Sequence, residues 1–186
     1  MTVDVSVEPS RAWRSGDPGV GPYAGRMRLL GAVAGSPYVY RLMLKWHRLI
    51  PPVERLLRRV SRGRLGVLEL AGLPSLELTV AGRRSGIPRT VTVQYVRDGG
   101  SLLLVGSNWG LPTHPDWAHN LQATDRARIT RHGTTENVAV ELLTGAERQR
   151  AWRTILDSWP NFALAQERAD SRSSQIFALR PTSDGA

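Results

Sequence analysis

The feature that most constrains this chain is a change of pattern after Gly66. From there on, short aliphatic and β-branched runs at 67–71, 76–80, 89–97, 101–107, 127–131 and 134–143, with a last one at 175–179, are separated by turn residues. Connections such as Asp98-Gly99-Gly100 and His132-Gly133 are too short for a parallel crossover, so neighbouring runs must double back as antiparallel hairpins. Helical segments interrupt the series twice. Pro115 opens a short helix over 115–123, and Thr144 with Glu147 three residues later reads as a capping box that starts a helix ending near Ser158. Hairpin-linked strands with helices set outside predict a small antiparallel, barrel-like α+β domain in preference to a doubly wound parallel sheet.

The chain before Gly66 has another character. Residues 1–35 are rich in Gly, Pro and Ser without sustained periodicity, and read as a flexible lead-in. Ser36-Pro37 then opens a helix through about Ile50, and after Pro51-Pro52 a second helix carries Val53, Leu56, Leu57 and Val60 on one stripe with arginines around it. Three segments follow: 1–35 flexible, 36–66 basic amphipathic helices, and 67–186 the barrel domain. Of the 25 basic and 16 acidic residues, 12 and 4 lie in residues 1–66, so nearly all of the net charge of +9 belongs to this third. The helices of 37–62 suit packing on the barrel by default, and otherwise a peripheral contact with an acidic membrane surface. Nucleic acid is not an expected partner, because no helix-turn-helix, RNP-type or zinc-finger pattern accompanies the charge.

Cysteine is absent, which removes disulfides, thiolate metal sites and cysteine nucleophiles, so any redox chemistry needs a bound cofactor. No eighteen-residue apolar run and no secretory block occur, and the expected location is cytoplasmic, with peripheral attachment to the inner face of the membrane as its variant. His114 and His119, five residues apart with no paired carboxylates nearby, do not predict a metal site, and scattered Asp116, Asp125 and Asp170 do not make an acid–base dyad.

Two stretches carry chemistry. In the turn Gly82-Arg83-Arg84-Ser85-Gly86-Ile87-Pro88-Arg89 the glycines let the backbone turn tightly and present N–H groups, while three guanidiniums and a hydroxyl can converge on a phosphate. The same turn also reads as an arginine-rich polar hairpin, since it lacks both the GK[ST] of a P-loop and the strand-to-helix context of a dinucleotide fingerprint. The stretch 106–121 leaves a strand and enters a helix with hydroxyl, amide and indole groups, which suits the polar edge of a flat heterocycle. Within it Trp117 and Leu121 lie one helical turn apart and also read as core, and Asn120 also suits tying down the loop.

Taken in order, Gly82-Arg83-Arg84-Ser85-Gly86-x-Pro88-Arg89, Tyr95-x-Arg97-Asp98-Gly99-Gly100, Ser107 and Pro115-x-Trp117-x-x-Asn120-Leu121 resemble the deazaflavin-dependent nitroreductase family, an actinobacterial group that uses coenzyme F420. The resemblance runs from about Leu68 to Arg180. It implies a split β-barrel of the flavin-reductase kind, a cofactor groove along the barrel, and hydride transfer from the reduced deazaflavin to an activated double bond, quinone or similar small molecule or peptide. It places Arg84, Ser85 and Arg89, in one turn with Arg83 and Gly86, on the phosphate and acidic tail of the coenzyme, and Ser107, Asn108, Gly110, Trp117 and Asn120 around the deazaflavin. Asn108 stands where the best-known member has lysine. Gln94, Trp159, Phe162 and Ala165 stand at substrate-pocket positions where that member has tyrosines, so nitroimidazole reduction is not carried over. Ser107 is the candidate catalytic donor to the anion left by hydride addition, with Gln94, water or His114 as proton sources behind it. FMN in the same groove, or a non-catalytic cofactor-binding barrel, are the alternatives, and a homodimer is the expected form of any self-association.

Overall fold

The computed structural model describes residues 50–60 and 73–182. Expectations for 1–35, for the helix before Ile50 and for a strand at 67–71 lie outside these residues. Helix α1 (Ile50–Val60) contains Pro51 and Pro52 in its first turn, where a missing N–H costs nothing. Its Val53, Leu56 and Val60 are exposed, so the described barrel does not cover the apolar stripe. Among the described residues no helix is long and apolar enough to cross a membrane.

Among the described residues six strands build the domain: β1 (Ser75–Ala81), β2 (Pro88–Asp98), β3 (Ser101–Gly106), β4 (Arg126–Arg131), β5 (Thr134–Leu142) and β6 (Gln175–Pro181). Every pairing is antiparallel, in the order β1-β2-β3-β6-β5-β4, and β1 closes the barrel on β4 through Leu78 opposite Ile129. Closure satisfies the backbone groups that an open edge would leave unpaired. Because strand side chains alternate, Leu76 and Leu78 of β1, Tyr95 of β2, Leu104 of β3 and Phe177 of β6 fill the interior.

The opposite faces of β2, β3 and β6 are also buried. Val96, Leu103, Val105 and Ile176 pack outward against α3 (Gly145–Ser158) and α4 (Asn161–Arg168), chiefly Ile155, Trp159 and Phe162. Burial on both faces is why Ser101-Leu-Leu-Leu-Val-Gly106 reads as a continuous aliphatic run rather than an alternating one. The helix expected at 115–123 is α2 (Asp116–Gln122).

Two local expectations need correction. Thr144 does occupy the N-cap of α3, but its side chain makes no capping bond, and Glu147 lies 3.8 Å from Arg150 instead. Gly145 adopts φ +52°, which turns the helix entry away from the geometry that brings a threonine hydroxyl over the third amide. Helix α4 was not expected at all: it is barely two turns long and directly follows Pro160, leaving no periodic stripe to read.

Candidate cofactor and substrate site

A cavity of about 150 Å³ lies against the outer wall of the barrel, lined by β2, the end of β3, the loop after it, the start of α2 and the α3–α4 junction. Strand alternation sends Thr92 and Gln94 of β2 toward it. Val105 arrives from β3 and Ser107 from the loop after it, Pro115 and Trp117 from the N-cap and first turn of α2, and Trp159, Asn161, Phe162 and Ala165 from the helical junction. Between β3 and α2 the backbone makes an unusual turn: Asn108, Trp109 and Gly110 are all left-handed, at φ +46°, +57° and +76°. Two of these are not glycine, and such residues cost of order 1–3 kcal/mol each, a strain found preferentially at functional sites. Asn108 steadies the turn by donating from Nδ2 to the Thr113 carbonyl at 2.8 Å.

Of the residues expected at a site, Gln94, Ser107, Asn108, Trp117, Trp159, Phe162 and Ala165 line this one cavity. Trp117 serves both its readings, since its ring also meets Phe177 of the barrel interior at 6.1 Å between centroids. Gly110 and Asn120 do not line it. Gly110 is buried against α4, where an added Cβ would sit 2.7 Å from the Ala165 carbonyl oxygen and from Arg168 Cβ. Asn120 is buried, and its Oδ1 accepts from the Arg83 backbone N–H at 3.1 Å and from Arg83 Nη1 at 3.4 Å. With Arg83 also 3.6 Å from Asp116, this pair fastens the β1–β2 turn to α2.

Beyond that fastening the turn is exposed. Gly86, at φ +66°, donates its N–H to the Gly82 carbonyl at 2.7 Å, and Ser85 Oγ accepts from Ile87 N–H at 3.3 Å. Arg84 and Arg89 have no carboxylate partner among the described residues. Among the described residues two positive groups thus stand without a carboxylate partner on a turn that α2 connects to the cavity.

The family model for F420H(2)-dependent quinone reductase matches residues 53–180. The chain belongs to this quinone reductase family. The expected membership of an F420-dependent reductase family therefore holds. A Mycobacterium tuberculosis (strain ATCC 25618 / H37Rv) protein named F420H(2)-dependent quinone reductase is 39% identical over 71 residues, 38% of this chain and 48% of that protein. The chain thus spans about half the length of that curated relative. The solved structure of an F420-H2 dependent reductase, FDR-A, is 27% identical with a TM-score of 0.52, covering 57% of this chain and 94% of that one. A structure described as a domain-swapped dimer is 25% identical with a TM-score of 0.55, covering 74% and 98%. These neighbours confirm the split-barrel expectation.

In this quinone reductase family member one side chain that the sequence did not single out organises the cavity loop. Arg172, between α4 and β6, donates to the carbonyls of Ser107 at 2.6 Å, Leu111 at 3.0 Å and Gly106 at 3.1 Å, and to His114 Nδ1 at 3.0 Å. Guanidinium can only donate, so His114 Nδ1 carries the lone pair and Nε2 the proton. Partial burial lowers the His114 pKa below its ordinary 6.5, Arg172 and the edge-to-face His119 ring add to this, and the Gly106 carbonyl opposes it. The sign follows directly. Well above pH 6.5 His114 is neutral both folded and unfolded and has no effect. Below it the unfolded chain takes up a proton that the folded chain resists, so stability falls as pH drops. Melting temperatures between pH 5 and 7.5 are expected to decline toward the acid end, and His114→Gln is expected to flatten that decline; an unchanged slope in the variant assigns the loss to other groups.

Proposed function

We propose that this chain binds coenzyme F420 in the cavity along β2 and β3 and reduces a quinone or a comparably electron-poor double bond. The observation that carries the reading is one juxtaposition: an indole- and amide-lined cavity joined by α2 to a turn whose Arg84 and Arg89 have no carboxylate partner among the described residues. Trp109, Trp117, Trp159 and Phe162 offer flat apolar walls, and Ser107, Asn108 and Gln94 a few polar groups, the usual make-up of a site for a planar ring. Arg84 and Arg89, with the Ser85 hydroxyl and the tight turn between Gly82 and Gly86, suit the phosphate and carboxylates of the coenzyme tail. Family membership over 53–180 supports the same cofactor ahead of FMN.

When bound, the reduced deazaflavin supplies a hydride. The chain supplies position and electrostatics. The aromatic walls would hold a planar ring and keep water out, which raises the value of each hydrogen bond inside. Ser107 Oγ–H is the donor assigned to the oxygen on which negative charge develops, and Gln94, Trp159, Phe162 and Ala165 form the wall assigned to the substrate. Asn108 uses its Nδ2 on Thr113, so it contributes loop shape rather than the positive charge of a lysine. The neighbour described as a domain-swapped dimer supports self-association, which sedimentation measures directly.

The test is a fluorescence titration with oxidised F420 and with FMN at 50 mM and 500 mM salt, where the screening length is roughly 14 and 4 Å. F420 is expected to bind at least about tenfold tighter than FMN, a difference of about 1.4 kcal/mol, and to weaken several-fold at the higher salt. Arg84→Ala/Arg89→Ala is expected to weaken F420 about tenfold and abolish most of the salt effect. Equal binding of FMN overturns the cofactor assignment; F420 binding without turnover of any quinone overturns the reductase.

A further inference from the structure

We propose that Arg172 is the positioning residue of this site, setting the backbone of the left-handed loop that presents Ser107, Asn108 and Trp109 to the cavity. The inference rests on the proposed function for what the loop presents, and on geometry alone for what holds it. Three consecutive left-handed residues are an unfavourable run, and the loop's own backbone bonds are few: Gly110 N–H to the Ser107 carbonyl at 3.0 Å and Leu111 N–H to the Asn108 carbonyl at 2.9 Å. Arg172 brackets that run. Its three carbonyl acceptors belong to Gly106 and Ser107, just before the left-handed residues, and to Leu111, just after them. A planar fork with five donors can reach both ends of a turn at once; an ammonium, with one nitrogen, cannot.

The bracket is itself anchored. Gln166 of α4 donates from Nε2 to the Arg172 carbonyl at 2.7 Å and accepts from Ser174 N–H at 2.8 Å. Arg148 of α3 donates to the Ser174 carbonyl at 3.1 Å. The two helices whose junction lines the cavity therefore both fix the segment from which Arg172 reaches back to the loop. Arg172 does not itself line the cavity, so it acts through the loop and is not a catalytic residue.

The test compares Arg172→Ala and Arg172→Lys with the unaltered full chain by amide hydrogen exchange, by F420 titration, and by turnover of menadione with F420H2 per F420-binding site. Expected are at least tenfold faster exchange at Gly110 and Leu111 in both variants, with barrel-strand amides changed less than threefold. Turnover per site falls about 10- to 100-fold while F420 affinity falls by a clearly smaller factor, because the arginine turn proposed for the coenzyme tail is untouched. Lysine is expected not to restore the loop; should Arg172→Ala fail to fold, Arg172→Lys carries the same measurements. Unchanged exchange at Gly110 and Leu111, exchange raised equally throughout the barrel, or full turnover per site despite a loosened loop each overturns the proposal. Failure of the unaltered chain to bind F420 overturns the proposed function instead, and the exchange result alone then decides whether Arg172 sets the loop.

Discussion

Gly110→Ala is expected to lower the melting temperature by about 5–15 °C and to loosen the α4 wall of the cavity. Two separate costs meet at this position. Its φ of +76° puts any L side chain in the left-handed region, at roughly 1–2 kcal/mol. Its Cβ would also lie 2.7 Å from the Ala165 carbonyl oxygen, a backbone atom that cannot swing aside, and 2.7 Å from Arg168 Cβ, so loop and α4 must separate at about 1–3 kcal/mol. Together these make roughly 2–5 kcal/mol, and each kcal/mol moves the transition of a chain this size by about 2–4 °C. Gly86→Ala is the control, because at φ +66° it meets only the conformational cost, with nothing within 4 Å of the new Cβ. Calorimetry on both variants separates the terms. If Gly110→Ala melts no lower than Gly86→Ala, the contact between loop and α4 yields easily and contributes little to the shape of the site.

That contrast also shows where the sequence is informative. The strands are legible because pleated, buried strands demand apolar residues in runs that turn chemistry must interrupt, and Asp98-Gly99-Gly100 and His132-Gly133 mark two of those interruptions. Much of the cavity is legible because Ser107, Asn108 and Trp117 lie on a single stretch between a strand and a helix. Thr92 could have been found from Gln94, two residues along the same face of β2, and Trp109 from its place beside Asn108. Arg172 could not. Its acceptors are three backbone carbonyls and one imidazole, 58 to 66 residues away, and carbonyls carry no side-chain signature. In a chain with 24 arginines among its 25 basic residues, composition does not single out the one that matters either. The unsatisfied capping box at Thr144 is the converse case, a correct local pattern overruled by the backbone of Gly145.

Phe177→Ala is expected to cost about 3–5 kcal/mol, the range for deleting a fully buried phenyl ring, out of total stabilities of roughly 5–15 kcal/mol for single domains. Phe177 is completely buried on β6, opposite Leu104 of β3 and Leu142 of β5, so its ring lies where three strands of the barrel meet. Neither flanking strand can close over the void without breaking the ladders that pair it with β6. The consequence extends to the cavity through Trp117, whose ring rests on Phe177 from within while it lines the cavity. Removing the inner ring frees the indole to sink, so the variant is expected to lose F420 affinity as well as stability, although residue 177 touches neither the cavity nor its solvent. Phe177→Leu retains most of the volume and is expected to cost less than about 1.5 kcal/mol. Urea unfolding with unchanged slope and a lowered midpoint reads the stability term, and F420 titration under fully folded conditions reads the second. Loss of stability with undiminished affinity in Phe177→Ala would mean that Trp117 is held from the cavity side, by Pro115 and the Arg172-anchored loop, rather than by the core beneath it.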